Sequence, residues 1–185
     1  MHSTNPPSRD ADAHLAPTLT SVERSFLQGM LSHVPALAAL ALPTSHSYAR
    51  VLDGIWSGGT YAAWGFDNRE SAIRLCGSQG SHNFEVRFVD GTSSPYLVLA
   101  GLIGAGAQAI SEGTPLATGD CAKPVAYMSD VEKASVGVQD VGRLPTTIEK
   151  ARSNLKEDKV LRSALGDHFV DTYIAVNEVS EDATC

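Results

Sequence analysis

Side-chain periodicity changes twice along this chain, and those two changes restrict the fold more than any single motif. From Thr20 onward apolar residues recur at helical spacing, with Val22, Phe26, Leu27, Met30 and Leu31 on one face. Thr20-x-x-Glu23 opens that stretch with a capping-box pattern. Val34 to Leu42, with Pro35 near its start and Pro43 at its end, predicts a second, buried helix. The period then drops to two. Ser71 to Leu75 alternates, and Phe84, Val86 and Phe88 share one face of a strand while Glu85 and Arg87 share the other. Helical spacing returns over Tyr96 to Ile110. Thr146-x-x-Glu149 predicts a capping box that opens a further helix, and Phe169, Tyr173 and Val176, with Val170 and Ile174 beside them, predict a final amphipathic one. Helices, then strands, then helices indicate an α+β fold rather than alternating βαβ units.

The chain has 185 residues, enough for one domain with its own core. Acidic residues outnumber basic ones 21 to 14, for a net charge of −7. Nucleic-acid binding needs clustered positive charge to displace counterions from phosphates, so no nucleic-acid partner is expected. The longest apolar stretch, Pro95 to Ala107, falls short of the roughly 20 residues of a membrane-spanning helix. Cys76, Cys121 and Cys185 are odd in number and widely spaced, which suits a reducing compartment better than a disulfide framework. The first residues lack both a basic start and an apolar run, so a cytoplasmic location is expected. Residues 1–18 are poor in large apolar side chains and predict an unstructured tail, as do residues 181–185. Asp10-x-Asp12-x-His14 within the first tail reads as solvated charge rather than as a metal site.

Two patterns bear on chemistry. Gly104-Ala105-Gly106-Ala107-Gln108-Ala109 fits the G-x-G-x-x-A of a dinucleotide-binding turn, but that turn requires a strand before it. Here Leu99, Ile103, Ala107 and Ile110 continue at helical spacing, so the segment reads as a helix whose small residues Ala100, Gly104 and Ala107 allow close packing. The second pattern is a run of arginines. Arg50, Arg69, Arg74 and Arg87 are the basic side chains between 50 and 87, with no lysine among them. Guanidinium holds carboxylates and phosphates with a fixed fork, where lysine offers a point charge. Arg74 and Arg87 fall on predicted strands with Glu85 between them, either as a structural ion pair or as an anion site with one metal-binding carboxylate. The histidines at 2, 14, 33, 46, 82 and 168 form no H-E-x-x-H pair, and there is no P-loop lysine motif or G-x-S-x-G elbow.

These same residues resemble the C-terminal part of the glutamine synthetase superfamily. Phe26 to Leu37 is similar to the family's helix before the substrate loop, and PTSHSYAR at Pro43 to Arg50 to its P-T-x-N-S-Y-x-R. Asn68-Arg69-Glu70-Ser71-Ala72-Ile73-Arg74 resembles N-R-S-A-x-I-R, and Phe84-Glu85-Val86-Arg87 with Ser94-Pro95-Tyr96-Leu97 resembles F-E-x-R…N-P-Y-L. The resemblance spans about residues 20 to 178. It implies part of a glutamine synthetase/guanido kinase-type catalytic domain, an antiparallel sheet packed with helices. By the same resemblance, Arg50 and Arg87 hold glutamate, Arg69 and Arg74 bind the phosphates of ATP, and Glu85 is a ligand of Mg²⁺ or Mn²⁺. The implied reaction is ATP-dependent amidation of the glutamate γ-carboxylate by ammonia or an amine, through γ-glutamyl phosphate.

Departures refine that expectation. His46 and Ser94 replace asparagines of the family pattern, Asn83 stands where many synthetases have an ATP-contacting arginine, and Cys76 stands where a proline usually follows. Trp56 occupies the place of the glutamate that closes the site over ammonium, which resembles the branch acting on larger amines, fungal relatives included. The family's N-terminal β-grasp domain, its other metal-binding glutamates, its metal histidine and its ATP loop precede the matched region. The isolated chain is therefore expected to be inactive on its own, as a homo-oligomer-forming ligase fragment or, alternatively, as a non-catalytic truncated relative that associates with a full-length paralogue.

Overall fold

The computed structural model describes residues 12–55, 59–77 and 80–182. Helix α1 (Ser21–Ala41) starts where the capping box places it: Glu23 N donates to Thr20 Oγ1 at 3.3 Å, and Thr20 N donates to Glu23 Oε2 at 2.8 Å. It then runs unbroken through Pro35, so the separate helix expected over 34–42 is instead the second half of α1. A proline inside a helix removes one backbone donor and crowds the preceding turn. Burial overrides that cost here, since Leu31, Val34, Leu37, Ala38 and Leu40 are all buried on either side of it. The α1 C-terminus leads into the short α2 (Ser45–Tyr48).

The sheet has three strands in the order β1 (Trp64–Phe66), β2 (Ile73–Cys76), β3 (Asn83–Val86). β2 and β3 are antiparallel, as expected, but β1 lies parallel to β2, so the sheet is mixed rather than antiparallel. A parallel pair ordinarily needs a long crossover. A three-residue strand spans only about 10 Å, so residues 67–72 suffice to carry the chain back. Asp67 adopts a left-handed φ of 51° at the turn, and its N–H donates to Leu75 O at 2.9 Å.

Helix α3 (Pro95–Glu112) packs on α1, and the Gly104–Ala109 motif lies inside it, with no strand–turn before it. The small residues at the crossing are Gly101, Ala105, Gly106 and Ala109, not the predicted Ala100 and Ala107, which are exposed. A Cβ on Gly29 would fall on the Ala105 carbonyl, and one on Gly106 would fall on the Phe26 ring.

The chain then passes through α4 (Asp130–Ser135), α5 (Ile148–Glu157), α6 (Lys159–Leu165) and α7 (Asp167–Asp182). A capping box of Ser129 and Glu132 opens α4. α5 is capped by Thr147, whose hydroxyl accepts from Lys150 N at 3.3 Å, one residue beyond the predicted Thr146 box. α7 buries Val170 and Ile174, whereas Val176 points out with more than half its surface exposed.

The predicted tail is shorter at its inner end. Asp12 pairs with the fully buried Arg24 at 3.1 Å and accepts from Leu116 N at 2.9 Å, while Ala16 and Leu19 join the core. At the other end, α7 extends to Asp182. Asp10, Trp56 and Cys185 lie outside the described residues.

Candidate active site

The β2–β3 ladder sets Arg74 directly opposite Glu85 and Ile73 opposite Val86. Because side chains alternate, Ile73 and Leu75 enter the core while Arg74 and Cys76 share the other face. There Arg74 Nε lies 2.8 Å from Glu85 Oε2 and donates to Cys76 Sγ, also at 2.8 Å. Arg87, expected on the strand but lying one residue beyond the end of β3, closes on the same carboxylate, its Nη1 2.7 Å from Glu85 Oε1. Arg87 is fixed at both ends: its backbone N–H extends the ladder to Ala72 O, and its Nε donates to Arg69 O at 2.9 Å. Glu85 is thus held between two guanidinium groups. The Arg74 pKa is raised, first by the hydrogen bond to Cys76, against the opposing effect of burial, with the charges of Cys76, Glu85 and Asp67 adding to the rise.

A cleft of about 250 Å³ opens beside this face, lined among others by Ser47, Arg50, Gly59, Arg87, Asp90 and Leu144. It brings the two arginines expected to hold glutamate onto one surface. Arg50 reaches it from the residues after α2 and is ion-paired with Asp90. Asp90 sits three residues past Arg87 and is nearly buried, with 9 % of its side chain exposed. Its pKa falls to about 2, chiefly through the Ser47 hydroxyl and the Thr92 amide, with the Arg50 charge adding to them and burial opposing. Arg69 and Arg74 do not line the cleft. Arg69 is exposed, and only its carbonyl is tied to Arg87; Arg74 stands on the sheet beside Glu85.

Two acidic side chains anchor the backbone at Gly54 and Thr60. Asp53 Oδ1 accepts from Thr60 N at 2.7 Å, and Glu70 Oε2 accepts from Gly54 N at 3.0 Å. Sequence reasoning missed Asp53, Glu70 and Asp90. Asp90-Gly91-Thr92 reads as a turn former, and it is one, since Thr92 N donates to Asp90 Oδ1 at 2.9 Å. The only signal that it also meets Arg50 was its acidity at a spacing of three from Arg87. Cys121, by contrast, is packed away, and burial pushes its thiol up to about 12, well outside the range of a reactive thiolate.

A divalent cation of the Mg²⁺ class takes several oxygen ligands. Glu85 offers one carboxylate, both oxygens of which already carry a guanidinium. No cluster of three or more His, Cys, Asp or Glu side chains occurs among the described residues. On their own, these residues do not fit a complete cation site.

Comparison with known proteins decides the family. The family model for the glutamine synthetase catalytic domain matches residues 5–184. The chain belongs to the glutamine synthetase family. It is 38% identical over 164 residues to protein fluG of Emericella nidulans, covering 89% of this chain and 18% of that one. It is 37% identical over 166 residues to the gamma-glutamylpolyamine synthetase GlnA3 of Streptomyces coelicolor (85% of this chain, 34% of that one), and 34% identical to a glutamine synthetase of Thermococcus kodakarensis (83% and 34%). Among solved structures, a glutamine synthase homolog superposes with a TM-score of 0.68 at 28% identity, covering 88% of this chain and 35% of its own. The chain thus spans about a third or less of the length of these relatives. The α+β glutamine synthetase fold and a ligase lineage follow, and the mixed β1–β2–β3 sheet is this family member's portion of it. No helix among the described residues is long and apolar enough to cross a membrane.

Proposed function

We propose that this glutamine synthetase family chain carries the glutamate-binding and phosphate-binding arginines of an ATP-dependent ligase that amidates the γ-carboxylate of glutamate with ammonia or an amine. The observation that carries the reading is the convergence of Arg50 and Arg87 on one cleft, next to a sheet face bearing Arg74 and Glu85. Arg50 and Arg87 offer forked donors to glutamate carboxylate oxygens. Arg69 and Arg74 meet the phosphates of ATP, where fixed positive charge stabilises the negative charge spread over a transferring phosphoryl group. A γ-carboxylate oxygen attacks the terminal phosphorus and ADP leaves; the amine nitrogen then attacks the acyl carbon and inorganic phosphate leaves. Similarity to GlnA3, a gamma-glutamylpolyamine synthetase, together with Trp56 at the ammonium-closing position, favours an amine larger than ammonia as acceptor.

Glu85 is assigned to Mg²⁺ or Mn²⁺ as one ligand of several. The described residues do not complete that site, so no step is derived through the ion. The shortfall favours a second reading, a non-catalytic relative that works only beside a full-length paralogue, with a homo-oligomer as the remaining assembly. The test is ADP release from Mg-ATP by the purified chain with glutamate and a panel of amines. Turnover requiring both glutamate and an amine, and abolished in Arg87→Ala, is the result expected of the ligase reading. A folded chain that turns over nothing alone and co-purifies with a larger homologue is the result expected of the second.

A further inference from the structure

Asp90 stands at the joint of three segments around the proposed glutamate cleft. Its backbone N–H donates to Ala41 O at the end of α1, at 2.8 Å, and its carbonyl accepts from Ser93 Oγ at 2.6 Å. Its Oδ2 takes Ser47 Oγ at 2.6 Å together with an Arg50 Nη2, and its Oδ1 takes Thr92 N at 2.9 Å and Thr92 Oγ1 at 3.0 Å. An ionised carboxylate has roughly four acceptor positions. All four of these are occupied by the protein, so Asp90 has no lone pair left to offer a ligand's ammonium or amide, although it borders the cleft. Its reach into the cleft is through Arg50. That arginine is 64 % exposed and emerges on a long flexible side chain, which without a partner samples many rotamers and loses that freedom when it grips a ligand.

We infer that Asp90 is a positioning residue for carboxylate recognition, which holds the Arg50 guanidinium at the cleft opposite Arg87 before glutamate arrives. The inference rests on the glutamate reading of the cleft given above. One nitrogen of the guanidinium, Nη2, is spent on Asp90, and Arg50 and Arg87 both line the cleft. Because Arg87 and Asp90 are three residues apart on one segment, the same backbone that fixes Arg87 through Ala72 O sets the anchor for Arg50. The distance between the two recognition groups is therefore built into residues 87–90 rather than left to a mobile side chain.

The test measures L-glutamate binding to the full chain by calorimetry, beside side-chain ¹⁵N spectra that report whether the Arg50 guanidinium is rotationally restrained. Asp90→Asn keeps shape but loses charge, and is expected to weaken glutamate binding about tenfold and to release the Arg50 guanidinium. Asp90→Glu keeps the charge but displaces it by one methylene, and is expected to weaken binding about threefold, which keeps the test open should the asparagine variant not fold. Thr92→Val removes a bond from the oxygen that does not touch Arg50. It is expected to lower stability while binding glutamate within about twofold of wild type, which separates positioning from simple folding support. Wild-type glutamate affinity in both Asp90 variants, or an Arg50 guanidinium that rotates freely in the wild type, would overturn the inference. Absence of glutamate binding in the wild-type chain with Arg50 restrained would overturn the glutamate reading, and the inference with it, and is told apart by the restraint itself.

Discussion

At the residue scale, what decides the chemistry is how few of the arginines stand free of carboxylates. Glu85 takes Arg74 and Arg87, and Asp90 takes Arg50, so substrate anions must share or displace partners already in place. Asp90 makes this measurable through pH. Its folded-state pKa of about 2 lies below the ordinary 3.8, so the unfolded chain binds its proton more readily than the folded one. Its stabilising contribution is complete above 3.8 and is lost as pH falls to about 2. Urea unfolding midpoints are expected to drop across that interval in the wild type and to drop less in Asp90→Asn; parallel curves would show that the carboxylate contributes nothing there. That Arg74, Arg87 and Glu85 meet on one side of the sheet was legible in the sequence because side chains alternate along β2 and β3. Asp90 was not, because an Asp-Gly-Thr turn already accounts for its residue type, and a partner forty positions upstream leaves no local trace.

At the scale of elements, alternation made β2 and β3 readable, since each places apolar and charged side chains on opposite faces. β1 carried no such signal: Trp64-Gly65-Phe66 is too short for a pattern, and it is held by long-range bonds, Trp64 Nε1 to Thr118 O at 3.0 Å and Cys121 N to Trp64 O at 3.1 Å. Pro35 suggested a break that burial on both sides of α1 does not permit. The small-residue helix was read correctly as a packing helix but on a neighbouring face, because periodicity fixes a stripe only to within a residue when glycine and alanine occupy most positions. The crossing it forms with α1 is tight enough to predict an outcome. Gly29→Ala brings a methyl group onto the Ala105 carbonyl and is expected to cost about 1–3 kcal/mol by overpacking, read as a lowered denaturation midpoint. Ala107→Ser, on the exposed face of α3, is expected to change stability by less than about 0.5 kcal/mol. Equal effects of the two would contradict the crossing.

At the scale of the whole molecule, α1 is the beam to which the other parts are fastened: α3 and α5 pack along it, its C-terminus anchors Asp90, and its N-terminus receives the segment from Asp12 to Leu19. That last attachment depends on Arg24, which is 0 % exposed, ion-paired with Asp12 and bonded to Leu19 O at 2.6 Å. Asp12→Ala removes the carboxylate facing a buried guanidinium and is expected to cost about 2–4 kcal/mol, measured by thermal or denaturant unfolding; a change below about 0.5 kcal/mol would place that segment outside the cooperative unit. The proposed glutamate cleft stands at the other end of the same beam, where the residues after α2 and the 87–90 segment meet. There Arg50 and Arg87 are proposed to recognise glutamate together. The most direct measurement is equilibrium binding of L-glutamate to the wild-type chain and to Arg87→Ala. The account predicts binding by the wild type and a loss of about a hundredfold in the variant, the scale of a forked, charge-assisted contact; equal affinity in the two chains would contradict it.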